Sequence, residues 1–310
     1  MDKIKVIAVT GPTASGKTGL AIEIAKAFGG EVVSADSMQI YKGMDIATAK
    51  PTADEMQGIP HHLIDFVDTA DTYSVAQYVE DSKRCISDIS ARGKVPVVAG
   101  GTGLYVDSLL SGIDFGFVPD NTEVRKQLKE QAEKEGSAVL FEKLKEIDPE
   151  TASKLHENNE GRIIRALEVY YLTGETLTQQ KIKSRQNGSD YDVLYICIEY
   201  LDRQKLYDRI EKRVDLMVRA GLLDEAKAYI DLADESTAKQ AIGYKELKPY
   251  FYGEMTLDEA LDNLKKETRH YAKRQLTWFR RHEERFCVYP DAQEDFIKIA
   301  KEKVGEFLEG

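Results

Sequence analysis

The stretch Gly11-Pro12-Thr13-Ala14-Ser15-Gly16-Lys17-Thr18 constrains the fold of this chain more than any other. It matches G-x-x-x-x-G-K-[ST] and sits in the context that pattern requires. The apolar run Ile4–Thr10 before it reads as a short strand. After it, Leu20, Ile24 and Phe28 recur at helical spacing until Gly29-Gly30 stops the run. Between strand and helix, glycines let backbone amides turn inward around phosphate oxygens. The helix N-terminus adds positive potential, and Lys17 adds a point charge. The Thr18 hydroxyl is placed for a magnesium ion. The motif does not name the phosphate compound: a nucleoside triphosphate is the usual occupant, and a diphosphate with magnesium satisfies the same amides.

The neighbouring segments follow the same pattern. Val32-Val33 and residues 95–99 read as further short buried strands, with a helix over 74–89 between them. Such alternation predicts a parallel sheet covered by helices on both faces. The composition changes after Phe117-Val118-Pro119. From Asp120 to about Thr178 the chain reads as helix, with turn signals at Gly136, Asp148-Pro149 and Gly174. A strand returns at 193–198, and beyond Asp202 the chain reads as helix again, interrupted near Gly221, Gly243 and Pro249. The expectation is an α/β protein: a P-loop-type parallel sheet core with C-terminal helices over 1–116 and 192–310, and a mostly helical insertion over 117–191.

Composition removes several classes of function. Cys85, Cys197 and Cys287 are far apart in the sequence and form no disulfide framework or four-cysteine zinc site. The N-terminal apolar run is too short for a signal peptide or a membrane span, and no later window is long enough. A cytoplasmic monomer with no membrane partner is expected. The formal charge of −11 argues against indiscriminate binding of nucleic acid.

Asp36 follows Val32-Val33-Ser34-Ala35, at the carboxyl end of the second strand. In an open α/β sheet this is the edge where ligands bind. Asp36 there can serve as a general base, as an outer partner of magnesium, or as a cap for the segment after it. The third strand ends in Gly100-Gly101-Thr102-Gly103-Leu104-Tyr105, which brings a small hydroxyl to the same edge. No other strand ends in an apolar run plus Asp, which counts against an ordinary ATPase.

Taken in order, GPTASGKT at 11–18, DSMQIYKGMDIATAKP at 36–51, GGTGLY at 100–105, GRIIRALEVY at 161–170, QAIGYKE at 240–246 and TRHYAKRQLTWFR at 268–280 resemble the tRNA dimethylallyltransferase family. The resemblance runs through nearly the whole chain and is weakest at 120–155 and 290–310. It implies transfer of a dimethylallyl group from dimethylallyl diphosphate to N6 of the adenosine just 3′ of the anticodon, in tRNAs reading codons that begin with U. The phosphate loop would then hold a leaving group. The resemblance implies Asp36 as the base, and Lys17, Arg213 and Thr18 with magnesium against the departing diphosphate. It puts Thr102 close to the target amine. Ser37, Met38 and Gln39, with Gln240, Gly243 and Lys245, match positions facing the tRNA. The target base must leave the anticodon stack to react. Arg125, Arg162 and Arg165 in the insertion are candidates for gripping the anticodon stem. Tyr41, Tyr105 and Tyr244 are as suited to core as to base stacking.

The charge is unevenly spread. Residues 265–285 carry +5, leaving −16 for the rest. On a helix drawn from 257 to 286, Leu257, Leu261, Leu264, Tyr271, Trp278 and Phe279 share one face. Lys265, Lys266, Arg269, Lys273, Arg274, Arg280 and Arg281 take the other, and Leu276 is a misfit. A basic stripe of this kind suits a polyanion. An enzyme prenylating free adenine nucleotides needs neither stripe nor insertion, and a small-molecule kinase using ATP is what the loop alone would favour.

Overall fold

Short runs of Val, Ile and Ala become strands buried on both faces, and their hydrogen-bonding edges are satisfied by one another. In chain order the elements are β1 (Ile4–Thr10), α1 (Lys17–Phe28), β2 (Glu31–Ser34), α2 (Ala53–Met56), β3 (His61–His62), α3 (Val75–Ala91), β4 (Pro96–Gly100) and α4 (Gly103–Leu110). Then come α5 (Thr122–Glu135), α6 (Ser137–Ile147), α7 (Pro149–Ala152), α8 (Glu160–Thr173) and α9 (Leu177–Gln186). They are followed by β5 (Tyr191–Ile198), α10 (Arg203–Arg219), α11 (Leu222–Tyr229), α12 (Tyr244–Phe251), α13 (Leu257–Phe279), β6 (Phe286–Val288) and α14 (Phe296–Glu309). This computed structural model describes residues 3–112, 122–186, 188–232 and 236–310. The composition break at Phe117-Val118-Pro119 lies outside them. Contacts divide the chain into two compact units, one of 1–109 with 190–310 and one of Leu110–Ser189.

The first unit is built on a parallel sheet of order β3-β2-β4-β1-β5-β6. Ile7, Val9, Val32 and Val97 point to one face, where Leu20, Ile24, Ala300 and Val304 of α1 and α14 cover them. The alternate residues Val6, Ala8, Val33 and Val98 are fully buried on the other. Each buried Val, Leu or Ile side chain among these contributes about 1.5–3 kcal/mol relative to exposure. Two strands were not legible in the sequence. His61–His62 pairs in parallel with β2 as an edge strand, and His62 Nε2 lies 2.7 Å from the buried Glu31 carboxylate. Phe286–Val288 pairs with β5 as the opposite edge, so the helix expected to reach 286 ends at Phe279, and the region after Asp202 is not all helix. That register sets Cys197 beside Cys287, both free thiols. Pro249 lies within α12 and does not interrupt it. Among the described residues no helix is long and apolar enough to cross a membrane.

The second unit is helical and has its own core of Leu128, Leu140, Leu144, Ile163, Ile164 and Leu167. The expected turn residues act as helix punctuation. Gly136 and Gly174 adopt φ of 87° and 72° at helix ends, where a side chain would be strained. Asp148 caps α7 ahead of Pro149 and also accepts from the Thr178 hydroxyl at 2.6 Å. Burial raises its pKa, but hydrogen bonds from Thr178 and Thr151 outweigh this and hold it below the usual carboxylate range. Tyr191, placed in the insertion by sequence, is the first residue of β5.

Candidate active site

The phosphate loop is shaped by its glycines. Gly11 has φ of 145°, and a Cβ there would lie 2.8 Å from the Ile198 carbonyl oxygen. Gly16 has φ of 99° and begins α1 with no side-chain cap. The first amides of the helix therefore face the cavity unmasked. Ser15 Oγ is buried without a hydrogen-bond partner. Lys17 Nζ donates to the Pro12 carbonyl at 2.7 Å. Burial and, after it, the nearby Arg213 guanidinium lower the Lys17 pKa while Asp36 opposes both, leaving it at about 8. Burial likewise lowers Arg213, on α10, with Asp36 pulling it back up. Two buried cations beside an uncapped helix end make this wall of the cavity suited to an anion.

The facing wall is built from the ends of β2 and β4. Asp36 Oδ1 accepts from the amides of Met38 at 2.9 Å and Gln39 at 3.3 Å, so one carboxylate oxygen does cap the turn after it. Thr102 Oγ1 accepts from the Ser37 amide at 2.9 Å and donates to Ser37 Oγ at 3.2 Å. Gly100 has to be glycine, since a Cβ there would lie 2.1 Å from the Ala35 carbonyl. Lys17, Thr18, Asp36, Ser37, Met38, Gln39, Arg213 and Arg274 line one cavity of about 1160 Å³.

A third wall is the loop 45–49 with α11 and α12. Glu225 of α11 accepts from the amides of Asp45 at 2.9 Å, Ile46 at 2.7 Å and Ala47 at 2.9 Å, and from the Tyr244 hydroxyl at 2.9 Å. From inside, Gln39 Nε2 donates to the carbonyls of Thr48 and Ala49, both at 3.1 Å. The Gln39 nitrogen, expected to face a nucleotide, is thus committed to its own chain. Gly243 has φ of 124° and packs on Ala47, while Gln240 and Lys245 also line the cavity. Sequence alone gave no signal for Glu225, one acid among many.

The basic stripe is narrower than its helical wheel. Lys265 pairs with Asp215 at 2.7 Å, Arg269 with Glu211 at 2.7 Å, and Arg280 with the buried Glu199 at 2.8 Å. The partners sit on α10 and just after β5, invisible to a wheel drawn for one helix. Lys273 and Arg274 are exposed, and Arg274 also lies over the Tyr271 ring. Leu276, the misfit, packs beside Leu206 and Ile210 of α10. Tyr41, Tyr105 and Tyr244 are buried at 0%, 5% and 1% exposure, so they are core residues with no face for a base. In the helical unit Arg125, Arg162 and Arg165 are all exposed, and Arg125 and Arg165 face the buried Glu168 at 3.9 and 2.8 Å.

Residues 39–282 match the family model described as IPP transferase, and residues 4–72 match that of isopentenyl transferase. The chain belongs to the IPP transferase family. It is 45% identical to the tRNA dimethylallyltransferase of Caldanaerobacter subterraneus subsp. tengcongensis, covering 99% of this chain and 98% of that one. To the Acetivibrio thermocellus tRNA dimethylallyltransferase it is 49% identical, covering 97% and 96%. The crystal structure of the tRNA isopentenylpyrophosphate transferase from Bacillus halodurans superposes with a TM-score of 0.73 at 42% identity, covering 99% and 97%. A eukaryotic dimethylallyltransferase solved acting on tRNA matches with a TM-score of 0.80 at 30% identity, covering 94% of this chain and 76% of that one.

Proposed function

We propose that this enzyme transfers a dimethylallyl group from dimethylallyl diphosphate to N6 of the adenosine just 3′ of the anticodon in tRNA, releasing diphosphate. The observation that carries the reading is a single cavity lined by Lys17, Arg213 and Asp36, with Thr102 bonded to Ser37, the residue after Asp36. The open amides of the loop, the orphaned Ser15 hydroxyl and the two cations suit a diphosphate. The Thr18 hydroxyl on the cavity wall suits a magnesium ion held mainly by the donor's own phosphates. Such an ion would neutralise charge on the leaving group. Among the described residues no cluster of three or more His, Cys, Asp or Glu could hold a metal ion, in keeping with an ion that arrives with the donor.

The exocyclic amine of adenine is a weak nucleophile and becomes acidic as it attacks carbon. Asp36, held by two backbone amides, takes the proton from N6 as the C–N bond forms. As the C–O bond to diphosphate breaks, further negative charge grows on the leaving group against Lys17 and Arg213, which stabilise it. Thr102 sits beside the acceptor, its hydroxyl oriented by Ser37. Lys273, Arg274 and Arg162 are the exposed cations best suited to RNA phosphates. The test is mass spectrometry of tRNA after incubation with the enzyme, magnesium and dimethylallyl diphosphate. A gain of one C5H8 unit at that adenosine is expected; no gain on unmodified tRNA, or phosphoryl transfer from ATP instead, sinks the reading.

A further inference from the structure

Gln275 of α13 is the most buried polar side chain lining the cavity that the chemistry above leaves without a task, at 5% exposure. Its carboxamide is spent on two loops distant in sequence. Oε1 accepts from the Thr13 amide at 2.8 Å, and Nε2 donates to the Gly101 carbonyl at 2.9 Å. The first partner belongs to the phosphate loop, and the second immediately precedes Thr102. An amide donor and a carbonyl acceptor fix which end of the carboxamide faces which loop. The backbone is fitted to this contact, since a Cβ at Gly101 would lie 2.2 Å from Gln275 Nε2.

The consequence is geometric. The loop that would hold the leaving group and the residue beside the acceptor follow neighbouring strands, β1 and β4. Past the strand ends, the ladder no longer fixes their separation. A planar group with an acceptor and a donor at fixed spacing does so. A glutamate in its place would keep the Thr13 bond, lose the Gly101 bond and add negative charge beside the diphosphate. A methionine would fill the volume and leave both backbone groups unpaired.

We propose that Gln275 is a positioning residue for prenyl transfer, setting the distance between the phosphate loop and Thr102. The inference rests on the function proposed above. It is tested by steady-state kinetics of the full chain with tRNA, dimethylallyl diphosphate and magnesium. Gln275→Met should lower kcat about 100-fold while the donor KM and the tRNA Kd move less than about threefold, the signature of misplaced rather than weakened binding. Gln275→Glu should fall between the two in kcat and raise the donor KM. Gly101→Ala should be severely impaired, and Gln275→Ala in the same chain should partly restore it by removing the colliding nitrogen. Gln275→Met with near-normal kcat, or Gly101→Ala and Gln275→Ala losses that simply add, overturns the inference and leaves the function standing. A wild-type enzyme that never modifies tRNA overturns both.

Discussion

The Thr102 hydroxyl accepts the Ser37 amide at 2.9 Å, tying the residue after Asp36 to the turn that follows β4. A base is useful only where the proton leaves, and this bond helps set where the Asp36 carboxylate stands. Thr102→Ser keeps the hydroxyl and should retain activity within about threefold, whereas Thr102→Val should cost about 10- to 100-fold in kcat. Asp36→Asn should abolish turnover with tRNA binding intact, as read by gel shift. Equal activity of Thr102→Val and wild type would remove the hydroxyl from the reaction.

Lys17 makes the site sensitive to alkali. Its folded pKa of about 8 lies below the ordinary lysine value of 10.5, so the folded protein without donor holds fewer protons here than the unfolded chain between those limits. By linkage this costs stability fully below pH 8, and stability recovers as pH rises from about 8 to 10.5. Donor binding runs the opposite way, because a diphosphate favours charged Lys17. The donor kcat/KM should fall by up to about tenfold per pH unit above the Lys17 pKa. A Lys17→Arg variant, weaker overall, should not show that fall, and a pH profile of both proteins checks it.

Glu225 holds three successive amides of the loop that lines the acceptor side. Removing it strands those donors and the Tyr244 hydroxyl, each worth about 1 kcal/mol when paired. Glu225→Ala should lower the melting temperature and raise the tRNA KM more than the donor KM. A uniform change in both constants would show that the loop serves the whole site alike.

Salt dependence of tRNA binding should sort the cations of α13. Lys273→Gln and Arg274→Gln should each reduce the slope of log K against log salt by about 0.7–0.9. Lys265→Gln should change it little, because Asp215 already neutralises that ammonium. Asp215→Asn should steepen the slope by freeing it. Filter binding across a salt series separates these outcomes.

Part of this was legible residue by residue. The phosphate loop needs only neighbours in sequence: a strand, glycines and a helix start, and Asp36 follows from its place at a strand end. The helical wheel of α13 rightly buried Leu264 and Phe279. It went wrong where partners came from elsewhere: Arg269 on Glu211, Arg280 on Glu199, Leu276 against α10. The strand at Phe286–Val288 was hidden for the same reason, since three residues hold too little periodicity and become a strand only by pairing with β5.

The sequence by itself determined the parallel α/β core, the phosphate loop and the acid beside it, because local sterics and periodicity specify these within a few residues. The tertiary structure decided which charges remain free, which carbonyls and amides Gln39, Glu225 and Gln275 hold, and that three tyrosines are core. Those outcomes depend on hydrogen bonds and ion pairs between segments far apart in the chain, and only the folded protein brings such groups within about 3 Å of one another.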